Sequence, residues 1–496
     1  MMATLPATQP GQGVYAVIVQ DRLYIGGELV EPAGTGTIDV INPFTEGVAG
    51  RVPDATNADV DAAVAAARKT FDTTDWSSRP ASERAEILSK ASAIINGRTE
   101  ELAALITTEM GSPLGWSIFG QVLAPTMVLD YYAGLGADYE FETTRPGMFG
   151  PVVVRREPMG VAAAIVPWNV PMFENVLKLA PAIVAGCAVV LKTAPETPLD
   201  AYVLHEILTE AGLPAGVLNI IPGGREVGAY LVTHPGVDKV TFTGSSAAGR
   251  KIGAAAGALL RPVTLELGGK SAAIICDDAD LNTVIPALID AGVMNNGQAC
   301  VAQTRILASR SRYAEVLDAV TEAVSALVVG DPLDPATQIG PLVASRQRDR
   351  VLGLIDQGKS EGARVTTGGS RPDQAKGWFV DPTVFGDVDN KMTIAQEEIF
   401  GPVLSVIPYV DETDAISIAN DSRYGLAGTV WSADAAHATD LARQVKTGTI
   451  GVNHFGMPFG APFGGYKESG LGRELGPEGL EAYLEHKSIS LDPAAG

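Results

Sequence analysis

The sequence predicts an α/β fold built on a doubly wound parallel sheet, and two observations carry that expectation. Short, β-branched, almost wholly apolar runs such as "AVVLK" (188–192) and "KVTFTG" (239–244) read as strands buried on both faces, and each is followed by apolar residues at helical spacing. From residue 161 strand and helix alternate without a break, the succession that folds as a parallel sheet with helices on both sides.

In chain order, residues 57–111 come first. "DVDAAVAAARKTF" and "RAEILSKASAIINGRTEELAALI" have helical apolar spacing, with Asn57 and Ser82 as the expected caps. "FETTRPGMFGPVVVRREP" (141–158) carries strand-like runs around Pro-Gly and Gly-Pro turns and predicts a protruding hairpin. "VAAAIVPW" then precedes a helix over 172–184, "AVVLK" one over 198–212, "VLNIIPG" one over 225–233, and "KVTFTG" one over 245–258. A second series opens near 270: "SAAIIC", a helix over 281–292, "RILAS", a helix over 312–328, "GWFVDPTVF", "VLSVIPYV", and "GLAGTVWS" before a helix over 434–446. The C-terminal "HKSISLD" suits an edge strand, which is either an oligomer contact or a plain edge.

Charge and hydropathy remove whole classes of function. The chain has 496 residues and a net charge of −22, with no compensating basic run, so phosphate backbones and anionic headgroups are poor partners. Neither nucleic acid nor membrane is expected. The longest apolar run, Leu179 to Leu191, contains Pro181 and falls short of the roughly 18–20 residues a span needs. "MMATLPATQPGQG" lacks the basic start of a secretion signal, so a cytoplasmic protein is expected. "GSSAAGRK" (244–251) places Arg250 and Lys251 where a P-loop needs Lys then Ser or Thr. "DDADLNT" lacks the glycine and final carboxylate of a calcium loop, and "HEILT" lacks the second histidine of a zinc helix. No metal site is expected.

The three cysteines differ in setting. Cys187 in "AIVAGCAVVLK" and Cys276 in "SAAIICDDAD" sit in apolar runs typical of inert core thiols. Cys300, in "NNGQACVAQTR", has polar and small neighbours on both sides. The other candidate is "FTGSSAAG", where Gly244, Ser245 and Gly249 fall at a strand-to-helix turn. Free N–H groups there suit a phosphate, and a tight turn with a serine cap reads equally well.

Seven segments then occur in order: "PWNVP" (167–171), "KTAPETPL" (192–199), "FTGS" (242–245), "LELGGKS" (265–271), "NNGQAC" (295–300), "EEIFGPV" (397–403) and "PFGGYKESGLGRELG" (462–476). In this the chain resembles the aldehyde dehydrogenase superfamily over nearly its whole length. The resemblance implies a Rossmann-type cofactor domain (1–140 and 157–267), an α/β catalytic domain (268–468) and a small β oligomerisation arm (141–156 and 482–496). It implies a homodimer or homotetramer.

By the same resemblance Cys300 is the nucleophile that attacks an aldehyde. The Asn169 side chain and the Cys300 N–H are the oxyanion donors, and Glu266 activates the water that cleaves the thioester. Alone before a Gly-Gly turn, Glu266 reads as a solvated strand-end carboxylate; its presence here implies hydrolysis to a free acid in place of transfer to coenzyme A. Lys178 and Glu474 match a proton relay, and Lys178 alone reads as a helix-surface lysine. NAD is the implied cofactor, held by Trp168, Lys192, Gly244, Ser245, Gly249, Glu398 and Phe400. Where many NAD-specific members carry a glutamate three residues after that lysine, this chain has Pro195, with Glu196 one place later, so NADP is also possible. Val170, Glu174, Leu177, Val301 and Phe455 match the substrate tunnel. Val170 and Leu177 replace larger aromatics, which implies a wide apolar tunnel for medium-to-large apolar or aromatic aldehydes. Glu174 either faces solvent or binds a polar group. A non-enzymatic relative of the same fold would be expected to lack the nucleophile, the base or the glycine turn, and all three are present.

Overall fold

The computed structural model describes residues 17–492, so residues 1–16 and 493–496 of the expected cofactor domain and arm lie outside the described residues. The first series of strands forms an eight-stranded sheet. Its parallel core runs, in spatial order, Val263–Glu266, Lys239–Thr243, Val161–Ile165, Ala188–Lys192 and Leu218–Ile220. Numbered along the chain from Val161–Ile165, this is the order 5-4-1-2-3, whose direction reverses between Val161–Ile165 and Lys239–Thr243. That reversal opens a crevice beyond the strand C-termini, where such sheets take their ligands.

The second series forms a seven-stranded sheet, parallel except for the antiparallel pair Arg364–Thr367 and Thr383–Gly386. The chain crosses from one sheet to the other between Glu266 and Ala272. It returns at Gly470–Leu471, which pairs antiparallel with Leu265 and Glu266 and stitches the two halves together. Glu142–Arg145, Val152–Pro158 and Leu484–Ser490 make a separate three-stranded antiparallel sheet, the hairpin and C-terminal strand expected from the sequence.

The helices follow the predicted windows closely. Pro171–Ala185 is buried along its whole length despite the internal Pro181, and ends at Gly186, whose φ of 92° is the left-handed conformation a helix stop favours. Leu199–Glu210 begins in the interior, and the carboxylate of Glu109 from another helix accepts hydrogen bonds from the backbone N–H groups of Leu199 (3.0 Å) and Asp200 (3.4 Å). Burying those N–H groups without a partner would be costly.

Several expectations are corrected. Thr56, not Asn57, precedes the first helix, Asn57–Thr73, and the Asp59 carboxylate folds back to accept from its N–H at 2.7 Å. The second helix starts at Ala81, directly after Pro80, so Ser82 lies inside it; proline in extended conformation ends the preceding segment one residue earlier. In "GWFVDPTVF" only Thr383–Gly386 pairs as a strand. The helices expected over 312–328 and 434–446 end earlier, as Tyr313–Ser325 and Ala435–Ala442. Among the described residues, no helix is long and apolar enough to cross a membrane.

Candidate active site

A cavity of about 240 Å³ opens where the strand order reverses, and it is lined by residues that lie far apart in the sequence. Trp168 and Asn169 enter from beyond Val161–Ile165, and Gly244 and Ser245 from beyond Lys239–Thr243. Cys300, Glu398 and Phe400 close it from the second sheet's side.

The turn that presents Cys300 is unusual. Asn295, Asn296 and Gly297 all have positive φ (54°, 61° and 72°). Asparagine tolerates that region better than most residues, but two in succession must be held by their surroundings. They are. Asn296 Nδ2 donates to the carbonyls of Gly111 (2.9 Å) and Pro341 (3.0 Å), and its Oδ1 accepts from the Gly340 N–H. Asn295 Nδ2 donates to the Asn169 carbonyl at 2.7 Å, and Gln298 Oε1 accepts from the Val343 N–H. The polar run around Cys300 is therefore a buried clamp, and its position is set by three separate chain segments.

Asn169 is locked to the same turn, because its Nδ2 donates to the Gln298 carbonyl at 2.9 Å. One N–H of that amide is thereby fixed, and the other is free to point into the cleft. Of the two glycines of "LELGGK", Gly269 meets backbone and Gly268 meets only the end of a side chain. A Cβ on Gly269 would lie 2.2 Å from the Cys300 carbonyl oxygen, and one on Gly268 would lie 2.6 Å from Glu398 Oε2.

Cys300 is partly exposed, whereas Cys187 and Cys276 are buried. Burial raises the Cys187 thiol to about 11 and the Cys276 thiol to about 12. The Cys300 thiol is also raised, first by desolvation and then by Glu174, Glu398 and Glu266. It rests as a thiol, and its proton has to be removed before it can act.

Behind the cleft lies a charge cluster. Lys178 is fully buried, not a surface lysine, and its ammonium donates to Glu474 Oε1 (2.6 Å), Thr243 Oγ1 (2.6 Å) and Glu174 Oε2 (2.9 Å). Burial opposes its charge, but the two carboxylates outweigh this and hold it protonated. Glu174, 6% exposed, thus belongs to this cluster and does not face solvent. Glu266 is 3% exposed, which replaces the reading of a solvated strand end, and neither of its carboxylate oxygens has a hydrogen-bond partner. Burial and then Glu474 hold its carboxyl well above the usual carboxylate range, with Lys178 opposing.

On the other wall Glu398 Oε1 accepts from the Gly269 N–H at 2.9 Å, and burial raises the carboxyl to about 7. Phe400 stands edge-on to Trp168, ring centroids 5.3 Å apart, with a strained φ of 61°. The segment Glu398–Phe400 is gripped by Ser345–Ser360, a helix that sequence reasoning missed. Gln347 Nε2 donates to the Phe400 carbonyl at 2.8 Å, and Arg350 donates to the carbonyls of Glu398 and Ile399, both at 2.6 Å. Lys192 lies at the end of Ala188–Lys192 outside the cavity lining; burial lowers its ammonium to about 8, against Glu196 and Asp54. Ser245 caps Ser246–Ala258, its Oγ accepting from the Ala248 N–H, and a Cβ on Gly249 would strike Leu267 at 2.5 Å. Glu196 is paired with Arg346.

Comparison with known proteins is decisive for the family. The aldehyde dehydrogenase family model matches residues 29–489. The chain belongs to the aldehyde dehydrogenase family. It is 49% identical to a geranial dehydrogenase of Castellaniella defragrans, over 96% of this chain and 99% of that one. It is 44% identical to a 3-succinoylsemialdehyde-pyridine dehydrogenase of a Pseudomonas species, over 94% and 98%. A crystal structure of a Mycobacterium tuberculosis aldehyde dehydrogenase complexed with NAD+ superposes with a TM-score of 0.95 at 51% identity, covering 96% of this chain and 99% of that one.

In this aldehyde dehydrogenase the five positions expected to line a substrate tunnel separate, with Glu174 held in the Lys178 cluster. Val170 and Phe455 are partly buried against the same apolar cluster as Cys300, together with Met457 and Phe459. Phe459 also faces Phe173, ring centroids 6.3 Å apart. Leu177 and Val301 are buried at 2% and 6% exposure and pack as core. Phe173, Met457 and Phe459 were not singled out in the sequence, although Met457 and Phe459 fall within the glycine- and phenylalanine-rich run around Phe455.

Proposed function

We propose that this chain oxidises medium-to-large apolar or aromatic aldehydes to carboxylic acids, using Cys300 as nucleophile. The observation that carries the reading is the meeting of Cys300, Asn169, Glu398, Phe400 and the Gly244–Ser245 turn around one cavity at the sheet's reversal point. The residues present fit NAD. Lys192 Nζ has no hydrogen-bond partner among the described residues, Glu398 keeps Oε2 for a ribose hydroxyl, and Gly244 and Ser245 offer a helix N-terminus to phosphate. Bound there, the dinucleotide supplies the hydride acceptor.

The chain's own residues do the rest. With its proton released to solvent through the open cleft, the Cys300 sulfur adds to the aldehyde carbon, and the new oxyanion is stabilised by the free N–H of Asn169 and by the Cys300 backbone N–H. Loss of hydride from that carbon leaves a thioester on Cys300. Glu266, whose carboxylate lies against Gly464, takes a proton from water as the water attacks the thioester, and the acid leaves with Cys300 returned as the thiolate. The nearness of the Glu474 carboxyl, which helps to raise Glu266, supports a role for the Lys178–Glu474 pair in carrying that proton away.

The apolar rim of Phe455, Met457, Phe459 and Val170 supports bulky apolar substrates, as do relatives named for geranial and for a pyridine-bearing semialdehyde. A steady-state series from acetaldehyde through longer aliphatic, aromatic and terpenoid aldehydes tests this. kcat/KM rises with apolar bulk and is abolished in Cys300→Ala; a preference for acetaldehyde would reject the substrate class. Glu266→Gln forms the first equivalent of NADH and then stalls. The exposed tip residues Met148 (91%) and Phe149 (83%) and the open edge of Leu484–Ser490 support a homo-oligomer built through the arm, which light scattering after size exclusion checks.

A further inference from the structure

A second convergence of reactive side chains lies at the C-terminal edge of the other sheet. Cys276 directly follows strand Ala272–Ile275, Glu412 opens the helix after strand Val403–Tyr409, and His437 lies on the helix after strand Gly428–Trp431. One donor atom from each lies within 4.8 Å of the other two. None of the three lines the cleft that holds Cys300.

We propose that Cys276, Glu412 and His437 form a binding site for a thiophilic divalent cation of the Zn²⁺ type. A sulfur, a nitrogen and an oxygen ligand around tetrahedral zinc sit at about 2.0–2.3 Å from the metal, hence roughly 3.3–3.8 Å from one another. The donors are already near that spacing. His437 Nε2 and Glu412 Oε1 are 2.8 Å apart and need to open slightly, while the sulfur needs to close by at most about 1.0–1.5 Å. Among the described residues the Cys276 sulfur makes no hydrogen bond, so nothing has to be broken to free it. The mixed donor set suits zinc better than magnesium or calcium, which take oxygen ligands.

The surroundings also favour a cation. The Asp434 carboxylate accepts from the backbone N–H groups of Ala436 and His437 and so fixes the start of the His437 helix. Asp278 accepts from Ser432 Oγ at 2.8 Å and from the Asp434 N–H, which ties that helix start to the loop after Cys276. These contacts hold the backbone that carries His437 against the loop after Cys276, and so fix the segments from which the ligands project. Glu412 and His437 are partly exposed, giving an entry path, and Cys276 is buried behind them. Binding would release the thiol proton to solvent and leave a fourth position for water. Spacing rules do not find such a site, because its ligands come from three strand ends far apart in the chain.

The test uses the full-length Cys300→Ala protein, which removes the cleft thiol as a competing ligand, after stripping with a chelator. Calorimetric titration with Zn²⁺ shows one equivalent bound, and Co²⁺ develops a thiolate charge-transfer band. Adding Cys276→Ser or His437→Ala weakens Zn²⁺ by more than about tenfold, and Cys276→Ser abolishes the cobalt band. His437 is partly exposed, so His437→Ala keeps the test decisive if the buried serine destabilises the fold; in the Cys300 protein, unchanged aldehyde oxidation by His437→Ala reports an intact structure. No binding by the Cys300→Ala chain, or binding equally tight in both added variants, overturns the proposal.

Discussion

Substituting Gly269 with alanine isolates the contact that sets the position of Cys300. The added Cβ would lie 2.2 Å from the Cys300 carbonyl oxygen, with Leu426 Cβ at 3.3 Å on another side. A carbon and a carbonyl oxygen rest at about 3.3 Å or more, so the two must part by roughly 1 Å. The Cys300 turn cannot absorb that shift locally, because Asn295, Asn296 and Gln298 anchor it to three other segments. A displacement of that size at a reacting centre costs about 100-fold, or roughly 2.7 kcal/mol in the barrier. The assay is kcat/KM with a good aldehyde, alongside the rate at which iodoacetamide alkylates Cys300. Gly257→Ala is the matched control: nothing lies within 4 Å of its Cβ, and alanine in the helix Ser246–Ala258 is favoured by about 0.5–1 kcal/mol. If Gly269→Ala keeps its activity within about threefold (~0.6 kcal/mol), the reading of a rigid, close-packed nucleophile turn is wrong.

Three further outcomes follow from named contacts. Lys178→Met leaves Glu174 and Glu474 buried without their shared cation and lowers unfolding stability by about 3–5 kcal/mol, read from urea denaturation. Glu196→Gln releases Arg346 from its ion pair near Lys192, and the ratio of kcat/KM for NADP to that for NAD rises about fivefold to tenfold; an unchanged ratio places cofactor choice elsewhere. Burial raises Asp200 from 3.8 to about 8 in the folded chain. Because its folded value is the higher one, its contribution is fully present below about pH 4 and is lost as pH rises through about 8. Asp200→Asn therefore flattens the decline of Tm over that window, and an identical slope in both proteins refutes the assignment.

How much of this was legible in the sequence depended on what each residue touches. Strands such as Ala188–Lys192 and Lys239–Thr243 announce themselves because burial on both faces leaves only apolar, β-branched choices. Cys300 stood out because its neighbours are polar, and the structure explains why: Asn295, Asn296 and Gln298 are buried amides whose partners lie far along the chain. Those partners carry no local signal. The same holds for Gln347 and Arg350, which grip the Glu398–Phe400 backbone from a helix whose mostly polar surface gave little apolar periodicity to read. Lys178 was misread in isolation because a lysine on a helix is ordinarily exposed, and only Glu174 and Glu474 together make its burial tolerable.

The left-handed pair before Gly297 also bears on how the protein ages. Asparagine followed by glycine is the sequence most prone to lose its side-chain amide in a flexible chain, and in the folded protein Asn296 is 0% exposed with both amide hydrogens bonded to carbonyls. Folding shields the bond. Each excursion to the unfolded state exposes it, and an aspartate formed there would return to face two carbonyl oxygens with a charge and no donor. Heat inactivation then has a chemical component that refolding does not reverse, written into the same turn that holds the thiol in place.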